Sequence, residues 1–228
     1  STQAKTLFPY TTLFRSWGGM ALHLARTYGC RVTSITVSEE QRALAAARAA
    51  AAGLQDRVAI ELRDYRHVEG RYDRVVSIEM IEAVGQEFWP GFFQAIDRVL
   101  APGGRVGIQA ITIPDQRFDQ YVRRSDWIQK HIFPGGLLPC LREVCAVTAR
   151  HTRLAVTDVE DRPLDYATTL RHWRARFLAC LDEVRAMGFD ERFIRTWEYY
   201  LASCEAAFRT RNLGLLHLTL SRVGEDLA

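Results

Sequence analysis

Lysine is almost missing from this chain: among its 30 lysines and arginines only Lys5 and Lys130 are lysines. A guanidinium's planar donors suit phosphate contact, but an arginine bias spread over the whole sequence reads more simply as codon usage in a GC-rich genome. Long apolar runs are also missing. Arg, Asp or Glu interrupts each stretch well before the roughly 20 residues a bilayer crossing needs, so no membrane-spanning segment is expected. The five cysteines, Cys30, Cys140, Cys145, Cys180 and Cys204, form no CxxC pair and no metal-ligand spacing. No metal is therefore expected, and scattered, odd-numbered thiols fit a reducing cytoplasm where disulfides are rare. No secretory signal order, internal repeat or low-complexity linker stands out.

What is there is ordinary globular composition. Hydrophobic residues make up 48% and charged residues 25% of 228, enough for one sizeable α/β domain and too little for two. One segment stands apart. Thr6 to Ser16, TLFPYTTLFRS, resembles the translation of a common sequencing adapter. Residues 1–16 are therefore read as foreign, although the alternation of Thr, Leu and Phe also suits a strand. The domain is expected over 17–228, with the first strand and its glycine loop largely missing before Trp17-Gly18-Gly19.

From Trp17 the pattern alternates strand-like and helix-like runs, as βαβ units do. Strands are expected over 31–37, 58–62, 72–78 and 105–112, with helices over 20–28, 38–52 and 88–100. Ser38-Glu39-Glu40-Gln41 reads as a capping box, and Ala101-Pro102-Gly103-Gly104 as a tight turn. Right-handed crossovers then force an open, twisted sheet covered on both faces. After Thr112 the rhythm changes. Two mainly helical stretches, about 114–150 and 163–211, are expected over the strand ends, with short strands over 154–159 and 213–221.

Ligands of such a sheet sit at the carboxyl ends of its strands. The polar residues there are Thr36, Ser38 and Gln41, then Asp64 and Tyr65, then Glu79 and Glu82. Ribose hydroxyls and an adenine ring are what the first two groups suit. A nicotinamide dehydrogenase shares this sheet, but a Tyr-x-x-x-Lys pair is not available with two lysines.

The motifs Trp17-Gly18-Gly19, VTSITVSEEQ from Val32, Asp64-Tyr65-Arg66, YDRVVSIEMIEAVG from Tyr72, LAPGGR from Leu100 and IFPGGLLP from Ile132 together resemble the cyclopropane-fatty-acyl-phospholipid synthase family. DYATTLRHWRARF from Asp165 and FDERFIRTWEYYLASCEAAFR from Phe189 are similar as well, so the likeness runs from Trp17 to Arg222. It implies a Rossmann-like class I methyltransferase sheet with helical insertions. S-adenosylmethionine is then the expected cofactor, held by Trp17, Gly18, Gly19, Thr36, Val37, Ser38, Gln41, Asp64, Tyr65, Ile78 and Glu79.

The resemblance also implies the chemistry: methyl transfer to a cis double bond of a phospholipid acyl chain, a carbocation, and a bicarbonate that removes a proton. Glu82, Tyr166 and the backbone at Ile111 match positions that hold the bicarbonate. Gln109 stands where better-known members have a histidine, and an amide cannot titrate, so a methyl-branched or methylene product is the alternative to a cyclopropane. A soluble small-molecule acceptor is a further alternative. Cys204 matches a position commonly cysteine, read here as a buried thiol. Arg123, Arg124, Lys130 and His131, interleaved with Tyr121, Trp127, Ile128, Ile132 and Phe133, suit peripheral contact with the inner face of a membrane. Nucleic acid is not expected as a partner, a homodimer is left open, and the literal chain is expected to lack a complete site.

Overall fold

A computed structural model describes residues 10–14 and 17–225. Its elements run β1 (Tyr10–Phe14), α1 (Gly19–Tyr28), β2 (Arg31–Thr36), α2 (Glu39–Ala51), β3 (Val58–Leu62), β4 (Tyr72–Ile78), α3 (Trp89–Val99) and β5 (Leu100–Thr112). Then follow α4 (Asp115–Tyr121), α5 (Trp127–His131), α6 (Leu141–His151), β6 (Leu154–Asp161), α7 (Pro163–Ala179), α8 (Leu181–Ala186), α9 (Glu191–Arg209) and β7 (Gly214–Arg222).

The described strands form one sheet in the order β3-β2-β1-β4-β5-β7-β6. The first five in that order run parallel, and β7 lies antiparallel to both β5 and β6. Strand order reverses between β1 and β4, which places the crevice for a ligand there.

The expectation that the first strand is missing is corrected. Tyr10–Phe14 lies between β2 and β4 and pairs with both, Thr12 opposite Thr33 on one side and Val75 on the other. A gap there would leave two rows of backbone donors and acceptors unpaired inside the sheet, and a short run rich in Thr, Leu and Phe suits that slot. The reading of residues 1–9, 15 and 16 as foreign falls outside the described residues.

The larger core lies under α3. Trp89, Phe92, Phe93, Ile96 and Val99 recur at helical spacing and are buried against Val75, Val106, Ile108 and Leu218 of the sheet. The opposite face is covered by small residues. Ala21 and Ala25 of α1 and Ala49 of α2 pack on Val32 and Val58. A Cβ on Gly18, which has a φ of 92°, would stand 3.1 Å from the Ala45 Cβ.

The expected turn at 101–104 is part of β5. Leu100 pairs with Tyr72 and Arg105 with Arg74, so the intervening residues form a register shift inside the strand pair. A side chain at Gly104 would meet the Asp73 carbonyl oxygen at 3.0 Å, which accounts for glycine in that crowded bulge.

Candidate active site

At the ends of β2, β3 and β4 lies a cavity of about 460 Å³. Thr36, Ser38, Gln41 and Asp64 supply polar groups around it, while Ile35, Met80, Val84 and Phe88 supply apolar walls. That mixture and size fit a nucleoside. Val37 and Tyr65 line it as well, so six of the expected cofactor residues are brought together here.

Their local structure differs in part from expectation. Ser38 caps α2 by accepting from the Gln41 amide at 3.2 Å. The Gln41 side chain does not return to the Ser38 backbone; its Oε1 accepts from the Thr36 hydroxyl at 2.6 Å, while the Ser38 N–H donates to Thr36 Oγ1. Only half of a capping box forms, and the other half stiffens the cavity rim. Asp64 accepts from Arg66 Nε at 2.9 Å and Nη2 at 2.7 Å. That hydrogen-bonded guanidinium holds the Asp64 carboxyl below its usual range.

Trp17, Gly18, Gly19, Ile78 and Glu79 are not among the cavity-lining residues. Gly18 precedes α1 in a left-handed conformation, and the exposed Trp17 presents its carbonyl to Arg48 at 3.0 Å. Ile78 ends β4 opposite Gln109.

A second polar group begins one residue from the cavity wall, at Glu79. Its Oε1 accepts from Gln109 Nε2 at 2.8 Å and its Oε2 accepts from the Tyr166 hydroxyl at 2.9 Å. Gln109 Oε1 lies 2.9 Å from His217 Nε2, so the ring tautomer carrying its proton there donates to it. Beyond, His217 Nδ1 is 3.9 Å from Glu160 Oε2. Nearby, Glu82 Oε1 accepts from the Ile111 backbone N–H at 2.7 Å. Burial, the charge of Glu79 and the hydrogen bond to it together push the Tyr166 phenol far above its ordinary range. The phenol is thus a fixed donor, not a base.

Glu82, Tyr166, Gln109 and Ile111 are therefore gathered, as expected. A bicarbonate among them is a different matter. The Tyr166 hydroxyl and the Gln109 amide already end on Glu79, and the Ile111 N–H on Glu82. Beside Glu79 and Glu82, an added anion would require one of the three groups to hold a proton. In this arrangement the residues present do not fit it.

Tyr166 also ties the cluster to an aromatic layer from α7, α9 and the segment after α5. Its ring lies 4.8 Å from Phe208 and 6.2 Å from Trp173, and Tyr200 contacts Trp197 at 5.2 Å and Phe133 at 5.9 Å. Cys204 packs in this layer, and burial raises its thiol to about 11. The cationic segment is divided: Trp127 stacks edge-on against Tyr199 at 4.7 Å, whereas Arg123, Arg124, Lys130 and His131 are exposed.

Sequence reasoning missed Met80, Val84 and Phe88 as cavity walls, and it missed His217 and Glu160 altogether. Met80 and Val84 sit in the motif that begins at Tyr72, and Phe88 follows three residues after its end, so all three were within reach. His217 stands 108 residues from Gln109 and carries no local signal.

The sheet order, the antiparallel β7 and the cavity at the ends of β2, β3 and β4 define a class I methyltransferase fold. The chain belongs to the mycolic acid cyclopropane synthetase family, whose pattern it matches over residues 15–218. It is 48% identical over 208 residues to a tuberculostearic acid methyltransferase of Mycobacterium tuberculosis, covering 91% of this chain and 48% of that protein. It is 38% identical over 210 residues to the cyclopropane-fatty-acyl-phospholipid synthase of Escherichia coli, covering 92% and 52%. The chain thus spans about half the length of these curated relatives. A crystal structure of mycolic acid cyclopropane synthase CmaA1 complexed with SAH and CTAB superimposes with a TM-score of 0.84 at 25% identity, covering 94% of this chain and 79% of that one. Among the described residues no helix is long and apolar enough to cross a membrane.

Proposed function

We propose that this chain carries the site of an S-adenosylmethionine-dependent methyltransferase that acts on cis double bonds in phospholipid acyl chains and forms cyclopropanes. The observation that carries the reading is the junction at Glu79 and Met80. Met80 walls the nucleoside-sized cavity, while its neighbour Glu79 is bonded to Tyr166 of the aromatic layer. A methyl donor on one side and an apolar chain on the other would meet there.

S-adenosylmethionine, when bound, supplies an electrophilic methyl group. Thr36, Ser38, Gln41 and Tyr65 would orient its adenosine, and the aromatic layer would exclude water. Tyr166, Trp173 and Phe208 would face a developing cation with ring π electrons. Glu79 and Glu82 would add negative charge without the cost of reorganising solvent. The exposed cations Arg123, Arg124 and Lys130 would favour an anionic lipid surface, with the cluster's aromatic half turned towards α9.

A second reading, a methylene or methyl-branched product, is favoured by the amide at Gln109 and by the relative named for tuberculostearic acid. Incubation with labelled S-adenosylmethionine and vesicles of dioleoyl phospholipid, followed by mass spectrometry of the lipid, tests both. Labelled lipid without an alkene supports the cyclopropane, and labelled lipid that keeps an alkene supports the second reading. Label only in a soluble acceptor would overturn the lipid assignment.

A further inference from the structure

We propose that Glu79 is the base of this site, taking the proton released after methyl transfer without a bound external anion. The inference rests on the lipid-olefin reading above and names the proton acceptor that reading requires.

Three observations converge on Glu79. The first is the occupation of donors. The Gln109 amide and the Tyr166 hydroxyl both end on the two oxygens of Glu79. Accepting on both oxygens is what an ionised carboxylate does. The second is conformational. Glu79 has a φ of 49°, in the left-handed region where glycine is favoured. A glutamate held there, at the end of a central strand, marks a position where the carboxylate offsets an unfavourable backbone.

The third is a row of polar side chains that continues from Glu79, just past the end of β4, across β5, β7 and β6. Ile78 stands opposite Gln109, Gln109 opposite His217, and His217 opposite Glu160. The Glu79 N–H donates to the Gln109 carbonyl at 2.8 Å, and the Gln109 side chain donates to the Glu79 carboxylate. His217, donating to Gln109 Oε1, fixes which end of the amide faces Glu79. Gln109 and His217 are thus positioning residues, and the row aims a non-titrating donor at a carboxylate. Had the acceptor been a free anion, neither a carboxylate at residue 79 nor a locked amide would be needed.

The alkene π pair forms the new carbon–carbon bond while the carbon–sulfur bond breaks, its pair staying on sulfur. A cation remains on the neighbouring alkene carbon. Glu79 takes one hydrogen of the transferred methyl as a proton, and the C–H pair left behind closes the three-membered ring. The neutral acid returns its proton to water after product release.

The test uses the whole chain with dioleoyl phospholipid vesicles and S-adenosylmethionine, in buffer freed of carbon dioxide and again with added bicarbonate. The wild-type rate is expected to be the same in both. Glu79→Gln, which keeps shape and loses the base, should fall by about 100-fold or more, the usual weight of a positioned base, with bicarbonate giving no recovery. S-adenosylhomocysteine affinity, measured by calorimetry, should be unchanged and shows that the variant is folded. Glu79→Gly, which opens the place to a small anion, should regain part of its lost rate with formate or bicarbonate. A wild-type rate that collapses without bicarbonate, or a fully active Glu79→Gln, overturns this inference alone. No lipid product from the wild type under either condition overturns the lipid reading and this inference with it.

Discussion

Cys204 illustrates how position along the chain and chemical role separate. It occupies a place where the family resemblance directs attention, yet it packs among Tyr166, Tyr200 and Phe208, and burial lifts its thiol to about 11. At pH 8 only about a thousandth of it would be the reactive thiolate. Iodoacetamide at that pH should therefore modify the exposed Cys180 well before Cys204, as peptide mapping would show; equal labelling would contradict the packing. Glu82 and Tyr166 were legible because they sit in recognisable local motifs, and Gln109 and Ile111 because the family resemblance points to their places on the strand after LAPGGR. Their wiring was not. That Glu79, expected to hold the cofactor, bonds Tyr166 depends on a contact 87 residues away. The His217 contribution arises only when β7 is laid beside β5.

Elements follow local pattern where burial and propensity agree. The apolar spacing of α3 was readable because one stripe of it meets the sheet, and Trp89 anchors that stripe, fully buried and donating from Nε1 to the Ile81 carbonyl at 3.1 Å. Trp89→Ala should cost about 3–5 kcal/mol through cavity formation and an unpaired carbonyl. A denaturant midpoint close to wild type would contradict that burial. At the end of α9, Arg211 adopts a φ of 55°, and the amides of Asn212 and Leu213 fold back to Ala207. Glycine is the natural occupant of such a helix end, so Arg211→Gly should stabilise the chain by about 1 kcal/mol. A lower midpoint in urea would count against it. Less legible were β1, where a segment set aside as foreign forms a central strand, and the bulge inside β5. In both, hydrogen bonding supplied by neighbouring strands decides the outcome, and no single window contains it.

On its antiparallel side the sheet is tied to α3 by a buried ion pair. Arg222 of β7 donates from Nε to Asp97 Oδ1 at 2.5 Å, and also to the Leu100 carbonyl, tying the last strand to the end of α3. Only 3% of the Arg222 side chain is exposed, so removing Asp97 leaves a desolvated cation with the more distant Glu225 carboxylate at 3.5 Å. Asp97→Ala should therefore cost about 3–5 kcal/mol, read as an early thermal transition; an unchanged transition would show that the pair is not load-sharing. The same architecture brings a nucleoside-sized cavity, two carboxylates and an aromatic layer to one end of the sheet, the basis for reading the chain as a lipid C-methyltransferase. If the proposed site works as described, a methyl group goes onto an alkene and then surrenders one of its own protons. The most direct measurement supplies S-adenosylmethionine with a fully deuterated methyl group to dioleoyl phospholipid vesicles and weighs the lipid product. A product retaining two of the three deuterons is the result expected. One retaining all three would mean that the proton is lost elsewhere, and would contradict the account.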